Sequence, residues 1–336
     1  MENENRLTIN DIAKMADTSK TTVSFYLNGK TDKMSVETKN KIQQVIEQTD
    51  YRPSILARSL NQKNSRLIGV IIGDITNTFS NQIVKGIEEV ARMKGYQMIM
   101  GNSTYDPQKE ENYVKKMLSL GVDGFIIQPT AQFKKLTQRI KSSRKPLVFF
   151  DSKLYDNQSN WVKTDNYEAT YQAIESCIKK GYEQFMMIGA NPNLLSTRIE
   201  RASGFIDAMA EHNFEYVSME IEQHNMKTGD IEKFVGGHLD TKSRTLIFVP
   251  NCWALPSVFT ALEKFRQYIP DVLGLVGFDN TEWTRFSSPK VTTIVQPAFE
   301  EGQQTCRILI DQIEKKEEES QHQILNCSIR WEESVM

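Results

Sequence analysis

Residues 7–30 read "LTINDIAKMADTSKTTVSFYLNGK". Ile9, Ile12, Ala13 and Ala16 fall at i, i+3, i+4 and i+7, one apolar face of a helix. Thr8 is placed to cap its start, with Asp11 as the partner in a capping box. A second helix is expected after Ser19, burying Val23 and Leu27, and "NGK" at 28–30 ends it. A third follows Ser35 and buries Ile42, Val45 and Ile46. Pro53 stops it, because the residue before a proline avoids helical angles. Two short helices joined by about four residues and covered by a third make a helix-turn-helix, whose second helix fits the major groove of DNA. That helix turns Lys20, Thr21, Thr22, Ser24 and Phe25 outward. Small hydroxyls approach phosphates closely, and a lysine donates to O6 and N7 of guanine. The same periodicity also fits an ordinary three-helix surface module, so periodicity alone leaves both readings open.

Charge separates this head from the rest. Residues 1–66 carry 11 Lys and Arg against 8 Asp and Glu, and the remaining 270 carry 30 against 35. A basic head on an acidic body suits a head that meets a polyanion. A chain of 336 residues suits two or three domains. There is no apolar run of membrane-spanning length, and "MENENRLTIN" lacks the pattern of a secretion signal, so the cytosol is the expected compartment. Cys177, Cys252, Cys306 and Cys327 lie far apart with no CxxC pair and read as packed thiols, three in helix-like stretches and Cys327 in a strand.

After the head comes "PSILARSLNQKNSR", residues 53–66. Ile55, Leu56, Ser59 and Leu60 suit a helical turn or two that cannot hold alone and would fold on gaining a partner. Strands and helices then alternate. Strands are expected at 67–73, "QMIMGN", "GFIIQPT", 146–151, "FMMIGA", "SMEIE", "TLIFVP" and "VLGLVGFD". Helices are expected at 79–95, 107–120, 166–180, 197–212, 228–239 and 252–267. Continuous apolar strands between helices argue for parallel sheets covered on both faces, in two Rossmann-like lobes. "EKKEEES" at 314–320 reads as a solvated helix end. The chain has no GxGxxG, P-loop, GxSxG or HExxH, and its four histidines are scattered. No catalytic residue, metal ligand or cofactor is therefore expected. An α/β enzyme and a solute-binding protein of transport are the rival readings, and the latter would need a signal peptide in place of the basic head.

"TINDIAKMA", "TVSFYLNGK", "YRPSILARSL", "LIGVIIGDITNTF", "GVDGFIIQPT" and "VGFDNTEWTRFSSPKVTTIVQP" stand in the order and at the distances found in the lactose-repressor (LacI/GalR) family of transcription regulators. The resemblance runs from about residue 6 to the end. It implies an α/β chain with a helix-turn-helix head and a two-lobed body like that of periplasmic binding proteins. The expected boundaries are 1–52 for the head and 53–66 for a hinge helix and linker. The first lobe takes 67–163 with 295–322, and the second takes 164–292 with 323–336.

By resemblance, Thr8, Ser19, Thr22, Ser24 and Asn28 match positions that hold the phosphate backbone. Lys20, Thr21 and Phe25 match positions that read bases, and Ala57 and Leu60 match hinge positions that enter the minor groove. The chain departs from the family at Asp17 (usually Gly), Thr18 (usually Val), Phe25 (often Arg) and Cys252 (often Asp). Asp tolerates left-handed angles, so the turn at Asp17 is expected to survive. Phe25 cannot donate to guanine but can pack on a thymine methyl. A small-molecule cleft is expected between the lobes, at the carboxyl ends of strands. Its expected lining is Asp74, Phe79, Gln128 and Asp151 from one lobe, Arg201, Asn251 and Asp279 from the other, Gln296 at the crossover, and Trp283 with Phe79 as aromatic cover. Such a set suits a polyhydroxylated sugar or sugar acid, and two of the phrases also look like regulators of 2-keto-3-deoxygluconate use. The C-terminal "ILNCSIRWEESVM" reads as strand and tail without apolar heptads, so a homodimer on a pseudo-palindromic operator is the expected assembly.

Overall fold

The computed structural model describes residues 7–51, 64–154, 159–223, 225–278, 282–315 and 320–336. The chain divides into two units, Met1–Ser65 and Arg66–Met336. The hinge expectations at Ala57 and Leu60 lie outside the described residues.

In the first unit, helices α1 (Ile9–Met15), α2 (Lys20–Leu27) and α3 (Val36–Thr49) follow the three expected caps. The Asp11 carboxylate accepts from the Thr8 N–H at 2.8 Å and from the Thr8 hydroxyl at 2.7 Å. These bonds hold its pKa below the ordinary carboxylate value. Ser19 Oγ accepts from the Thr22 N–H at 3.1 Å, and Ser35 Oγ from the Thr38 N–H at 3.1 Å. Asp17 takes a left-handed conformation in the turn (φ 48°), so the missing glycine does not break it. Ile12, Ala13, Ala16, Val23, Ile42 and Val45 close a core of their own.

The second unit holds two sheets. β1 (Leu67–Ile72), β2 (Gln97–Asn102), β3 (Gly124–Ile127), β4 (Leu147–Phe150) and β5 (Asn160–Thr164) lie in the order β5-β4-β3-β1-β2, all parallel. α4 (Thr78–Met93), α5 (Pro107–Ser119) and α6 (Lys134–Ser142) are threaded between them. Both faces of this sheet are apolar and covered. Ile68, Val70 and Ile72 pack on Ile83 and Ile87 of α4, while Ile71, Phe125 and Ile127 pack with Val114 and Met117 of α5.

β6 (Gln184–Gly189), β7 (Tyr216–Glu220), β8 (Thr245–Val249), β9 (Leu273–Phe278) and β10 (Thr292–Val295) form the second sheet in the order β10-β9-β8-β6-β7, also parallel. α7 (Asn166–Lys179), α8 (Ser196–Glu211), α9 (Thr228–His238) and α10 (Leu255–Ala261) belong to this lobe. The helix expected over 252–267 stops at Ala261 and tightens into a 3₁₀ turn over Leu262–Tyr268, leaving Cys252 in the turn before it. β7 sits two residues earlier than its sequence pattern suggested.

α11 (Ala298–Lys315) returns to the first lobe. It crosses α4 where two glycines meet. A Cβ on Gly86 would strike the Phe299 carbonyl oxygen, and one on Gly302 would strike the Ile83 carbonyl oxygen. The last two strands then separate. β11 (His322–Leu325) extends the first sheet alongside β5, and β12 (Ser328–Arg330) pairs antiparallel with β10 in the second. This corrects the expected lobe boundary at residue 323: the chain crosses between Leu325 and Ser328, with Cys327 in the connection rather than in a strand.

The body thus crosses between lobes at 164–166, 295–298 and 325–328, and polar bonds tie these crossings together. Thr164 Oγ1 donates to Gln296 Oε1 at 2.6 Å, and the Cys327 N–H donates to Asp165 Oδ1 at 2.6 Å. Elsewhere in the first lobe, α5 carries Glu110, fully buried, with one carboxylate oxygen accepting from Thr130 Oγ1 at 3.0 Å. Burial pushes its pKa from an ordinary 4.5 up to about 7. The folded chain therefore keeps this proton to higher pH than the unfolded chain. Its contribution to stability is full below the ordinary value and is lost as pH rises through about 7. Glu110→Gln is expected to stabilise the body at pH 8 by on the order of 2 kcal/mol and to change little at pH 4. Parallel melting-temperature profiles of the two proteins across that range would contradict this.

Candidate functional site

In each sheet one early strand has neighbours that leave it in opposite chain directions. β1 lies between β2 and β3, and β6 between β7 and β8. Such a switch point opens a crevice at the carboxyl ends of the strands. The same device spans both crevices. Gln128, after β3, accepts from the Gly73 N–H through Oε1 at 2.9 Å and donates through Nε2 to Asp151 Oδ2 at 2.7 Å. Asn251, after β8, accepts from the Ala190 N–H through Oδ1 at 2.8 Å. A cavity of about 30 Å³ lies between the lobes, room for about one water. Phe79, Tyr105, Gln128 and Asp151 line it from the first lobe, and Arg198, Arg201, Asn251 and Trp253 from the second. A second cavity of about 210 Å³ adjoins it in the second lobe and shares Arg198 and Asn251 with it.

Contacts between lobes hold this cleft shut. Gln223 Nε2 donates to Asp74 Oδ2 at 2.8 Å, the Cys252 thiol to Asn77 Oδ1 at 3.3 Å, and the Lys153 N–H to Ser196 Oγ at 3.1 Å. Lys163 of β5 reaches Glu200 of α8 at 2.7 Å, with both side chains nearly buried.

Of the residues expected from sequence, Phe79, Gln128, Asp151, Arg201 and Asn251 share the cavity. Asp74 stands at its rim, and Gln296 lies behind it among the crossings. Asp279 lies outside the described residues. Trp283 does not cover the cleft. It packs on Phe259 in the second lobe, 5.3 Å between ring centres, and the indole that lines the cavity is that of Trp253. Arg201 is committed on several sides: Nε to Asn166 Oδ1 at 2.7 Å, Nη1 to the Pro250 carbonyl at 2.8 Å and Nη2 to Gln296 Oε1 at 3.2 Å, with its guanidinium 3.6 Å from the Phe278 ring centre.

Tyr105 and Arg198 were not anticipated. Tyr105 and its predecessor Thr104 both have positive φ, 56° and 52°. This rare pairing turns the Tyr105 ring onto the end of β1, where only a glycine at 73 leaves room for it. Burial raises the pKa of its phenol. Arg198 faces it from the other lobe, its guanidinium 5.9 Å from the ring centre. Two consecutive left-handed residues other than glycine leave no sequence signal. Arg198 was masked by Arg201 one helical turn on.

In the head, Val23 points into the core while Lys20 and Thr21 stand exposed at the start of α2. Ser19 Oγ and Thr22 Oγ1 are 2.8 Å apart, and Asn28 Nδ2 donates to the Ser24 carbonyl at 2.8 Å. Phe25 is half-buried with Lys33 Nζ 5.3 Å from its ring centre. With Thr8 at the rim, the expected head residues thus stand on or beside one short helix. Among the described residues no group of three or more His, Cys, Asp or Glu could hold a metal ion, and no helix is long and apolar enough to cross a membrane.

Residues 8–54 match the family model of bacterial regulatory proteins of the lacI family, and residues 68–317 match that of the periplasmic binding protein domain. The "Probable HTH-type transcriptional regulator EndR" of Paenibacillus polymyxa is 32% identical over 330 residues, covering 96% of this chain and 95% of that one. The HTH-type transcriptional regulator KdgR of Bacillus subtilis is 31% identical over 312 residues, covering 91% of each. Among solved structures, the lac repressor dimer bound to operator and the anti-inducer ONPF superposes with a TM-score of 0.83 at 20% identity, over 98% of this chain and 99% of that one.

Proposed function

This chain belongs to the LacI family of bacterial regulatory proteins, and we propose that it represses carbohydrate-utilisation genes from the cytoplasm as an operator-binding homodimer, released or engaged by a sugar-derived effector. It is a DNA-binding transcriptional regulator and not an enzyme. The observation that carries the effector reading is the convergence of two switch-point crevices on one small cavity between the lobes, with Gln128 and Asn251 bridging them alike. Asp151, Gln128 and Asn251 offer hydrogen bonds to adjacent hydroxyls, and Phe79 and Trp253 offer apolar ring faces.

The present cavity holds about one water, so an effector enters only when the lobes part. The bonds Gln223–Asp74 and Cys252–Asn77 break in that motion. Effector binding resets the angle between lobes, and residues 53–66 carry the change to the head. A coupling of about 1–3 kcal/mol alters operator occupancy about 5- to 150-fold. On the DNA side, Ser19, Thr22, Ser24, Asn28 and Thr8 hold phosphates, Lys20, Thr21 and Phe25 read bases, and Ala57 and Leu60 enter the minor groove.

Gel-shift selection from genomic fragments tests the reading. The full chain is expected to retain a palindromic sequence against excess competitor. Lys20→Ala is expected to weaken that complex about 10- to 100-fold while changing binding to unrelated DNA only a few-fold. Equal loss on both DNAs would show that Lys20 reads no base, and no selected sequence at all would overturn the regulator's operator reading.

A further inference from the structure

Arg198 and Arg201 stand one turn apart on α8 and line the same cavity, yet they are in different states. Arg201 spends three donors inside the protein and stacks on Phe278. Arg198 makes one hydrogen bond among the described residues, from Nη1 to the Asn191 carbonyl at a long 3.3 Å. A guanidinium has five N–H donors, and a half-buried one with no carboxylate in direct contact is costly. No carboxylate among the described residues forms an ion pair with it. Glu220, on the wall of the adjoining cavity, is exposed and accepts instead from Asn191 at 3.3 Å. Burial accordingly lowers the pKa of Arg198 from its ordinary value.

Arg198 also occupies the point where the two cavities meet. Charged groups of the described central lining are two guanidiniums against the single carboxylate of Asp151, a balance of one positive charge. Asp151, Gln128 and Asn251 lie on the same lining as acceptors and donors for hydroxyls.

We propose that Arg198 is the anion-binding group of the cleft and that the effector is a monocarboxylic sugar acid, its carboxylate on Arg198 and its hydroxyls toward Asp151 and Asn251. This rests on the reading of the cleft as the effector site. A planar carboxylate takes two parallel N–H bonds from the guanidinium edge, which a neutral hydroxyl cannot. A dianionic phosphate would leave a negative charge uncompensated.

Titration calorimetry on the full chain tests this with D-gluconate and D-galacturonate beside D-glucose, D-galactose and D-glucose 6-phosphate. One acid is expected to bind at least about 10-fold more tightly than its neutral counterpart. Arg198→Ala is expected to remove about 100-fold of that affinity, and Arg198→Lys to restore part of it by keeping the charge without the fork. A neutral sugar binding as tightly as its acid, a preference for the phosphate, or acid binding indifferent to Arg198→Ala overturns the acid assignment. Asp151→Asn separates the two levels. A neutral sugar lost with Asp151→Asn but not with Arg198→Ala overturns the acid alone. Binding that ignores both variants, or no binding by any probe, overturns the cleft as a sugar-derived effector site.

Discussion

Gly86→Val is expected to lower the unfolding free energy of the body by about 3 kcal/mol or more. The obstacle is backbone. A Cβ at 86 meets the Phe299 carbonyl oxygen, and the reciprocal one at 302 meets that of Ile83. A flexible side chain could rotate away, but a helix carbonyl moves only with its helix. α4 and α11 would have to part along the crossing that buries Ile83, Ile87, Cys306 and Leu309. Gly302→Val is expected to cost a similar amount, and the double variant less than the sum, since one separation relieves both clashes. Urea midpoints of the three variants measure this. A single variant as stable as the parent would show that the helices have slack.

The second large effect concerns the ion pair between Lys163 and Glu200, whose side chains are 8% and 12% exposed. It joins β5 of one lobe to α8 of the other. Glu200→Ala leaves an ammonium group buried without its partner, and such a change costs about 3–5 kcal/mol. That cost falls on the closed arrangement, because opening returns Lys163 to water. The single variant is therefore expected to favour open lobes and to enlarge the radius of gyration in X-ray scattering. Lys163→Met with Glu200→Leu removes both charges and is expected to recover most of the loss, since a buried pair replaced by apolar groups is often neutral. A double variant worse than Glu200→Ala would mean that the pair itself, and not the stranded charge, holds the lobes.

Much of this architecture was legible because its central strands are unbroken apolar runs. "LIGVII", "TLIFV" and "LGLVGF" allow few other placements, and the capping residues Ser19 and Ser35 fixed two helix starts in the head. The edges were not legible. β5 contains Asn160, Trp161 and Lys163, and β11 begins with an exposed histidine, so neither shows the composition of a core strand. α6 has four charged residues among its nine and buries only Thr137 and Ile140, too narrow a stripe to stand out. In the cleft, Gln128, Asp151 and Asn251 were legible as positions directly after strands, and all three line the cavity. Tyr105 was missed because its place depends on an unusual backbone rather than on residue type. Trp283 was misplaced because an aromatic near a strand end fits a core as readily as a cleft.

The placement of β11 and β12 bears on how this protein is made. Residues 322–330 supply an outer strand to each sheet, so both lobes stay incomplete until that stretch has cleared the ribosome. A chain released before that stretch would display two unguarded strand borders at once, inviting aggregation and proteolysis.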